Sequence, residues 1–225
     1  YISQILEPPL VGAYCQNATI TPLGEHLLTE MMKRGMLIEV DHFPQWSYVR
    51  AYEMLKEADY PPMGSHGRNH FGDLYALGGV STTGFGTCRE GAKGSTVQGF
   101  KDKIQFIKDH GGYPGEGFGF DLNGFAGARG PRFGDGVCPM PQTDPITYPF
   151  TSYAGDITFT PPAVGERALD FNTEGLVHIG LLPELIEDAR KDAVSDADLE
   201  PLFRSAEGYI RMWELAEKRA AALGG

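Results

Sequence analysis

The chain has 225 residues, 41% of them hydrophobic, which is enough for one sizeable core and far from the composition of a disordered segment. Nineteen Lys and Arg against thirty Asp and Glu leave a net charge of −11 with no basic block, which argues against nucleic acid and anionic membrane as partners. No apolar run approaches the roughly 20 residues needed to cross a bilayer, so no transmembrane segment is expected.

Thr21 followed by Pro22 is a good helix start, a capping hydroxyl and then a proline in the first turn, and Leu23, Leu27 and Met31 recur at a spacing of four until Gly35 closes the helix. The apolar run Met36 to Val40 predicts a strand. Gln45 to Glu57 predicts a second helix, with Val49, Tyr52 and Leu55 on one face. Two short strands are expected at Pro62 to His66 and Gly79 to Gly84, then a helix from Val97 to Asp109 and a fourth strand at Phe118 to Leu122. From Asn123 to Gly175 the chain is rich in Gly and Pro and shows no sustained periodicity, a long excursion of the kind that is usually functional or mobile. Helical signal returns at Pro183 to Lys191, and Ser195 to Asp198 leads into a longer helix carrying Leu202, Phe203, Ile210, Trp213 and Leu215 up to Leu223.

Alternating β and α segments predict a parallel sheet with helices outside, either a (β/α)8 TIM-type barrel or an open doubly wound sheet. Only four strands are legible, and no linker splits residues 1 to 225 into two cores. If the fold is a barrel, the chain supplies its second half. The opening Tyr1, with no start signal after it, fits residues lost upstream. Cys15, Cys88 and Cys138 are odd in number and lack a CxxC spacing, so they read as isolated small hydrophobes rather than a disulfide framework or structural zinc site. Asn17-Ala18-Thr19 fits a glycosylation acceptor, a triplet common by chance. Compartment stays open, with an extracytoplasmic or secreted one slightly favoured.

In parallel β/α folds the loops after the strands converge on the active site. Asp41 and His42 end the first strand, His66 ends the second and Asp121 ends the fourth. The 24 residues from His42 to His66 suit one strand, its helix and the next strand, which puts both imidazoles at one cavity. Zinc accepts two neutral imidazoles, and a nearby carboxylate can ligate it or take a proton from water. Taken by residue type alone, a histidine at a strand end is more often a hydrogen-bonded structural residue than a ligand. Arg68, Asn69 and His70 are candidates for a substrate carboxylate, against the plainer reading of a solvated loop; Arg129 and Arg132 are candidates for closing over an anionic group. His178 reads as a packing or capping residue, and His26 and His110 as surface residues on helices. The segment "GAKGST" lacks the full phosphate-loop spacing.

The ordered run "TPLGEHLLTEMMKRGMLIEVDH", "PPMGSHG" and "GFGFDLNG", followed by "LLPELIEDARKDAVSDADLEPLFRSAEGYIRMWE", resembles the membrane dipeptidase family (renal dipeptidase, peptidase M19-like) of amidohydrolase-type zinc hydrolases. There the order is "LTPFG", a helix, "G(M/V)LIDLSH", "P(V/I)xxSHS" and "GTDFDG", then closing helices. The resemblance implies the C-terminal half of a barrel, strands five to eight, with His42 and His66 jointly holding one zinc and Asp121 handling protons of the metal-bound water. The family's HxD pair and bridging glutamate, on the first and third strands, have no counterpart here. One or two zinc ions are therefore implied, the second needing residues outside this chain. Asn123 stands where the family has a second aspartate, and "DHFPQW" replaces small residues, which bears on the substrate.

The expected protein is thus a metal-dependent hydrolase of an amide or peptide-like bond, acting on a small-molecule or peptide-like substrate and completed by an N-terminal half-barrel chain. Self-association into a homo-oligomer stays open. The alternative is a catalytically inactive barrel relative kept as a binding or structural module. A sugar or nucleotide enzyme on an open sheet is a third reading, for which no phosphate-cradling glycine loop is found.

Overall fold

The computed structural model describes residues 19–68, 70–119, 122 and 129–224. Helix α1 (Pro22–Lys33) starts where expected, with the Thr21 hydroxyl accepting from the Gly24 N–H at 3.2 Å, and it ends ahead of Gly35 in the left-handed region at φ +67°. Its buried face is not the one the spacing suggested. Leu28 and Met32 pack inward, whereas Leu23 is 76% and Leu27 58% exposed. Two apolar rows run one residue apart along this helix, and a spacing of four cannot tell which one the core receives.

Strand β1 (Ile38–Glu39) pairs in parallel with β2 (Pro62–Met63), in the register Ile38 to Pro62. Met63 in turn bridges in parallel to Val80, and the Gly64 N–H donates to the Val80 carbonyl at 2.9 Å. Strand β3 (Thr82–Thr83) begins two residues after Val80, beyond Ser81, and pairs in parallel with β4 (Gly117–Phe118). Neighbours therefore follow chain order without reversal. Helix α2 (Gln45–Glu57), the short α3 (Asp73–Ala76) and α4 (Gln98–Asp109) fill the crossovers. The fourth strand starts one residue ahead of the expected Phe118; Phe120 and Asp121 of the expected run lie outside the described residues. In α4 the predicted positions Phe100, Ile104 and Ile107 are all buried, together with Val97 just ahead of it. Around β1 and β2 these helices close a core of Ile38, Val40, Tyr52, Leu55, Leu74, Tyr75, Phe100 and Ile107.

The excursion is more regular than its composition suggests. It carries two antiparallel hairpins, β5 (Phe150–Thr151) with β6 (Thr158–Phe159), and β7 (Ala163–Val164) with β8 (Arg167–Ala168). The second turns through Gly165 at φ +59°, the left-handed first position of a two-residue loop. Ile146, Leu169, Phe171 and Leu176 then pack on Leu181 and Leu185, giving the excursion a small core of its own against α6 (Leu182–Asp192), with α5 (Phe171–Glu174) between. The expected longer helix is interrupted: α7 (Glu200–Phe203) ends at Arg204, and α8 (Ser205–Ala222) restarts and lies against α1. Gly208, Met212, Ala216 and Ala220 face inward along α8, while Ile210 and Trp213, expected on its apolar face, are about half exposed.

Cys88 and Cys138 form a disulfide between the loop after β3 and the excursion, with Cα atoms 5.7 Å apart. This corrects the reading of both as isolated hydrophobes. Fifty residues separate them, a spacing that carries no local signal. Cys15 lies outside the described residues. Among the described residues no helix is long and apolar enough to cross a membrane.

Candidate functional site

The polar groups of Glu39-Val40-Asp41-His42 stand where β1 runs out. Val40 is fully buried and still donates its N–H to the Met63 carbonyl at 2.9 Å, so the strand's last apolar residue fixes the height at which the polar ones emerge. Across β2, Ser65 and His66 emerge at the matching level. The His42 and His66 rings meet edge to face with centroids 5.4 Å apart, and the His42 side chain is 64% exposed. The two imidazoles of the sequence reading are thus neighbours at the ends of adjacent parallel strands.

Glu39 joins them. One carboxylate oxygen lies 3.0 Å from His42 Nδ1; the other accepts from Ser65 Oγ at 2.8 Å and from the Asp41 N–H at 2.9 Å. Partial burial raises the pKa of this carboxyl, but the His42, Ser65 and Asp41 donors outweigh burial and hold it below the ordinary value.

Asp41 works on the other histidine through the backbone. One of its oxygens accepts from the His66 N–H at 2.6 Å and, more weakly, from that of Arg68 at 3.4 Å. The other lies 2.6 Å from His70 Nε2, with both side chains essentially buried at 1% and 0% exposure. Neither of these two atoms makes an aligned hydrogen bond, so the contact is one of close packing of the ring against the carboxylate. Burial pushes the His70 pKa down against the pull of Asp41, which leaves the ring neutral near pH 7. With the Tyr48 and Tyr52 hydroxyls at 3.1 and 3.3 Å from Nδ1, the tautomer that suits these neighbours carries its proton on Nε2. A Cβ at Gly64 would overlap the His70 ring, so glycine is required beside this buried pair.

The remaining candidates fall differently. The guanidinium of Arg68 donates to the Phe43 carbonyl at 3.0 Å and to Gln45 Oε1 at 2.9 Å, and lies 3.9 Å from the Tyr48 ring centroid. It braces the turn between β1 and α2. His70, read as part of a solvated loop, is instead buried. Arg129 and Arg132 are turned onto the buried Asp188 of α6 and onto the Thr87 carbonyl, and the Arg129 side chain is only 6% exposed. That arrangement fastens the excursion, while Arg129 Nε and Nη1 and Arg132 Nη1 and Nη2 are buried without a hydrogen-bond partner in the described structure. Asp121 and Asn69 lie outside the described residues. His178 caps the turn at Ile179–Leu181, accepting from the Gly180 N–H at 3.0 Å, and His26 and His110 are exposed as expected.

Among the described residues no cluster of three or more His, Cys, Asp or Glu is placed to hold a metal ion. The described donors are His42, with Nε2 turned away from Glu39's hydrogen bond, and His66 beside it. They fit the nitrogen half of a zinc site and fall short of a whole one. A separate apolar pocket, lined by Phe150, Phe159, Leu182, Ile186 and Phe203, holds about 200 Å³, below the roughly 300–1,000 Å³ usual for ligand cavities. No protein family, characterised protein or solved structure matches the chain.

Proposed function

We propose that the chain is the C-terminal half of a (β/α)8 metal-dependent hydrolase similar to the membrane dipeptidases, cleaving an amide or peptide-like bond. The observation that carries the reading is the pair of imidazoles, 5.4 Å apart, at the ends of adjacent parallel strands. Chain-order pairing from β1 to β4 supports it, since an open doubly wound sheet reverses strand order at its binding crevice and a barrel does not.

In this reading His42 and His66 hold the ion, with zinc the metal suited to neutral imidazoles, and Asp121 is the acid that moves the proton. Bound zinc would supply Lewis acidity and lower the pKa of a water to near 7. The chain's own part is to hold both rings at a fixed separation, through Glu39 on one side and the Asp41–His70 pair on the other. Further ligands would come from an N-terminal half, which completes one or two metal sites.

The rival reading, an inert relative kept as a binding module, draws on the absence of a three-donor cluster among the described residues. Metal analysis separates the two. The hydrolase reading expects the native protein to carry zinc, to lose it on replacing His42 and His66 by Ala, and to release free amine from a panel of dipeptides. Metal-free, inactive native protein whose stability is unaltered by the double replacement would establish the module instead.

A further inference from the structure

We propose that Glu39 is the positioning residue of this site, fixing the ring of His42 and coupling it to the strand that carries His66. The inference rests on the metal-site reading and assigns a role to a residue that touches neither substrate nor ion. An imidazole as exposed as that of His42 has little packing to restrain its rotation, and within the described structure its one hydrogen bond is the 3.0 Å contact from Nδ1 to Glu39. That contact does two things. It places the ring proton on Nδ1, because a carboxylate 3.0 Å away offers that nitrogen only acceptor oxygens, and it thereby presents the lone pair of Nε2 outward as the ligating atom. The second carboxylate oxygen accepts from Ser65, the immediate neighbour of His66, at 2.8 Å and from the Asp41 N–H at 2.9 Å. One side chain therefore bonds to both histidine-bearing strands, and the separation of the two rings is set by a bridge rather than by two independent rotamers.

A role as a direct ligand is less consistent with this geometry, since both Glu39 oxygens already accept from protein donors. Position matters as well. Glu39 lies in β1, three residues before His42, on the strand backbone, where its own placement is fixed by pairing with Met63. A group that must hold another side chain still is best mounted on such a rigid element.

The test uses the E39A and E39Q variants of the full chain, with folding checked by circular dichroism. Nitrogen-15 NMR of the metal-free protein reads which His42 nitrogen carries the proton, and titration with cobalt(II) alone reads affinity. Expected are a proton on Nδ1 in the wild type that is lost in E39A, and cobalt binding weaker by about 10–100-fold in E39A, the range for lost outer-sphere partners. E39Q keeps an acceptor at the same reach and is expected to fall between the two. If E39A does not fold, E39Q is read alone against the wild type and should show weakened binding. A proton on Nε2 in the wild type, or folded variants with unchanged tautomer and affinity, would overturn the assignment. Wild-type protein that binds cobalt no better than H42A/H66A would defeat the metal reading instead, and the tautomer would then decide the case for Glu39 by itself.

Discussion

Glu116 sits fully buried just ahead of β4, where its carboxyl accepts from Ser81 Oγ at 2.8 Å and lies 3.5 Å from the Tyr75 hydroxyl. Burial lifts its pKa to about 7 against the lowering effect of Ser81. The folded value lies above the unfolded one, so the chain binds more protons folded than unfolded between about 4.5 and 7. Stability from this group is complete below about 4.5 and is lost as pH rises to about 7, a change of about 3 kcal/mol at 1.36 kcal/mol per unit. Glu116→Gln removes the effect. Urea unfolding at pH 5 and pH 8 should show the wild type losing that stability relative to the variant; equal pH dependence in both would refute the assignment. The group lies just ahead of β4, at the N-terminal end of that strand, whereas His42 and His66 follow the C-terminal ends of β1 and β2. Sequence reading found the two histidines because they end predicted strands in a recognisable order. It overlooked Glu39 because a charge inside a short strand reads as solvent-facing, and it misjudged His70 because "SHGRNH" has the composition of a loop while Asp41, 29 residues earlier, is what draws that ring inward.

Helices and strands were legible in proportion to how local their causes are. The caps of α1, the periodicity of α4 and the proline-led start of α6 are written in adjacent residues, and those elements appear within a residue or two of expectation. The hairpins of the excursion were not, because strands of two residues leave no alternation to detect. What fixes the α6 region is a set of distant partners. Asp192, fully buried at its C-terminal end, accepts from Arg89 Nε at 2.6 Å, from the Gly94 N–H at 3.1 Å and from Thr96 N–H and Oγ at 2.7 and 2.5 Å. Burial raises this carboxyl's pKa, and the surrounding donors more than reverse the effect. Asp192→Ala strands Arg89 and two backbone donors without a partner. A cost of about 3–5 kcal/mol is expected, the range for breaking a buried pair, measured as the shift in denaturation midpoint. A loss under about 1 kcal/mol would show that the loop reorganises to satisfy itself.

Across the whole molecule, strand order was the most informative feature and the least visible in advance. Sequence separated the elements but left a barrel and an open sheet as alternatives; the structure adds parallel pairing of β1 with β2 and of β3 with β4, joined through the single bridge from Met63 to Val80, and no closed barrel among the described residues. The disulfide was invisible for a related reason, since two cysteines 50 residues apart are brought together only by the packing of the excursion. Replacing both by Ser should lower stability by up to about 4 kcal/mol, the loop-entropy value for a closed loop of this size. Calorimetry on oxidised and double-Ser protein reads the difference, and identical melting would mean that the bond contributes nothing.

The same bridge has a topological effect. Between Cys88 and Cys138 the polypeptide is a covalent ring that takes in α4 and β4, so a protease nick within it opens the ring without releasing a fragment. The severed ends stay joined through sulfur until a reductant reaches them, so damage there would leave no smaller fragment under oxidising conditions and would register only as the gain of one water.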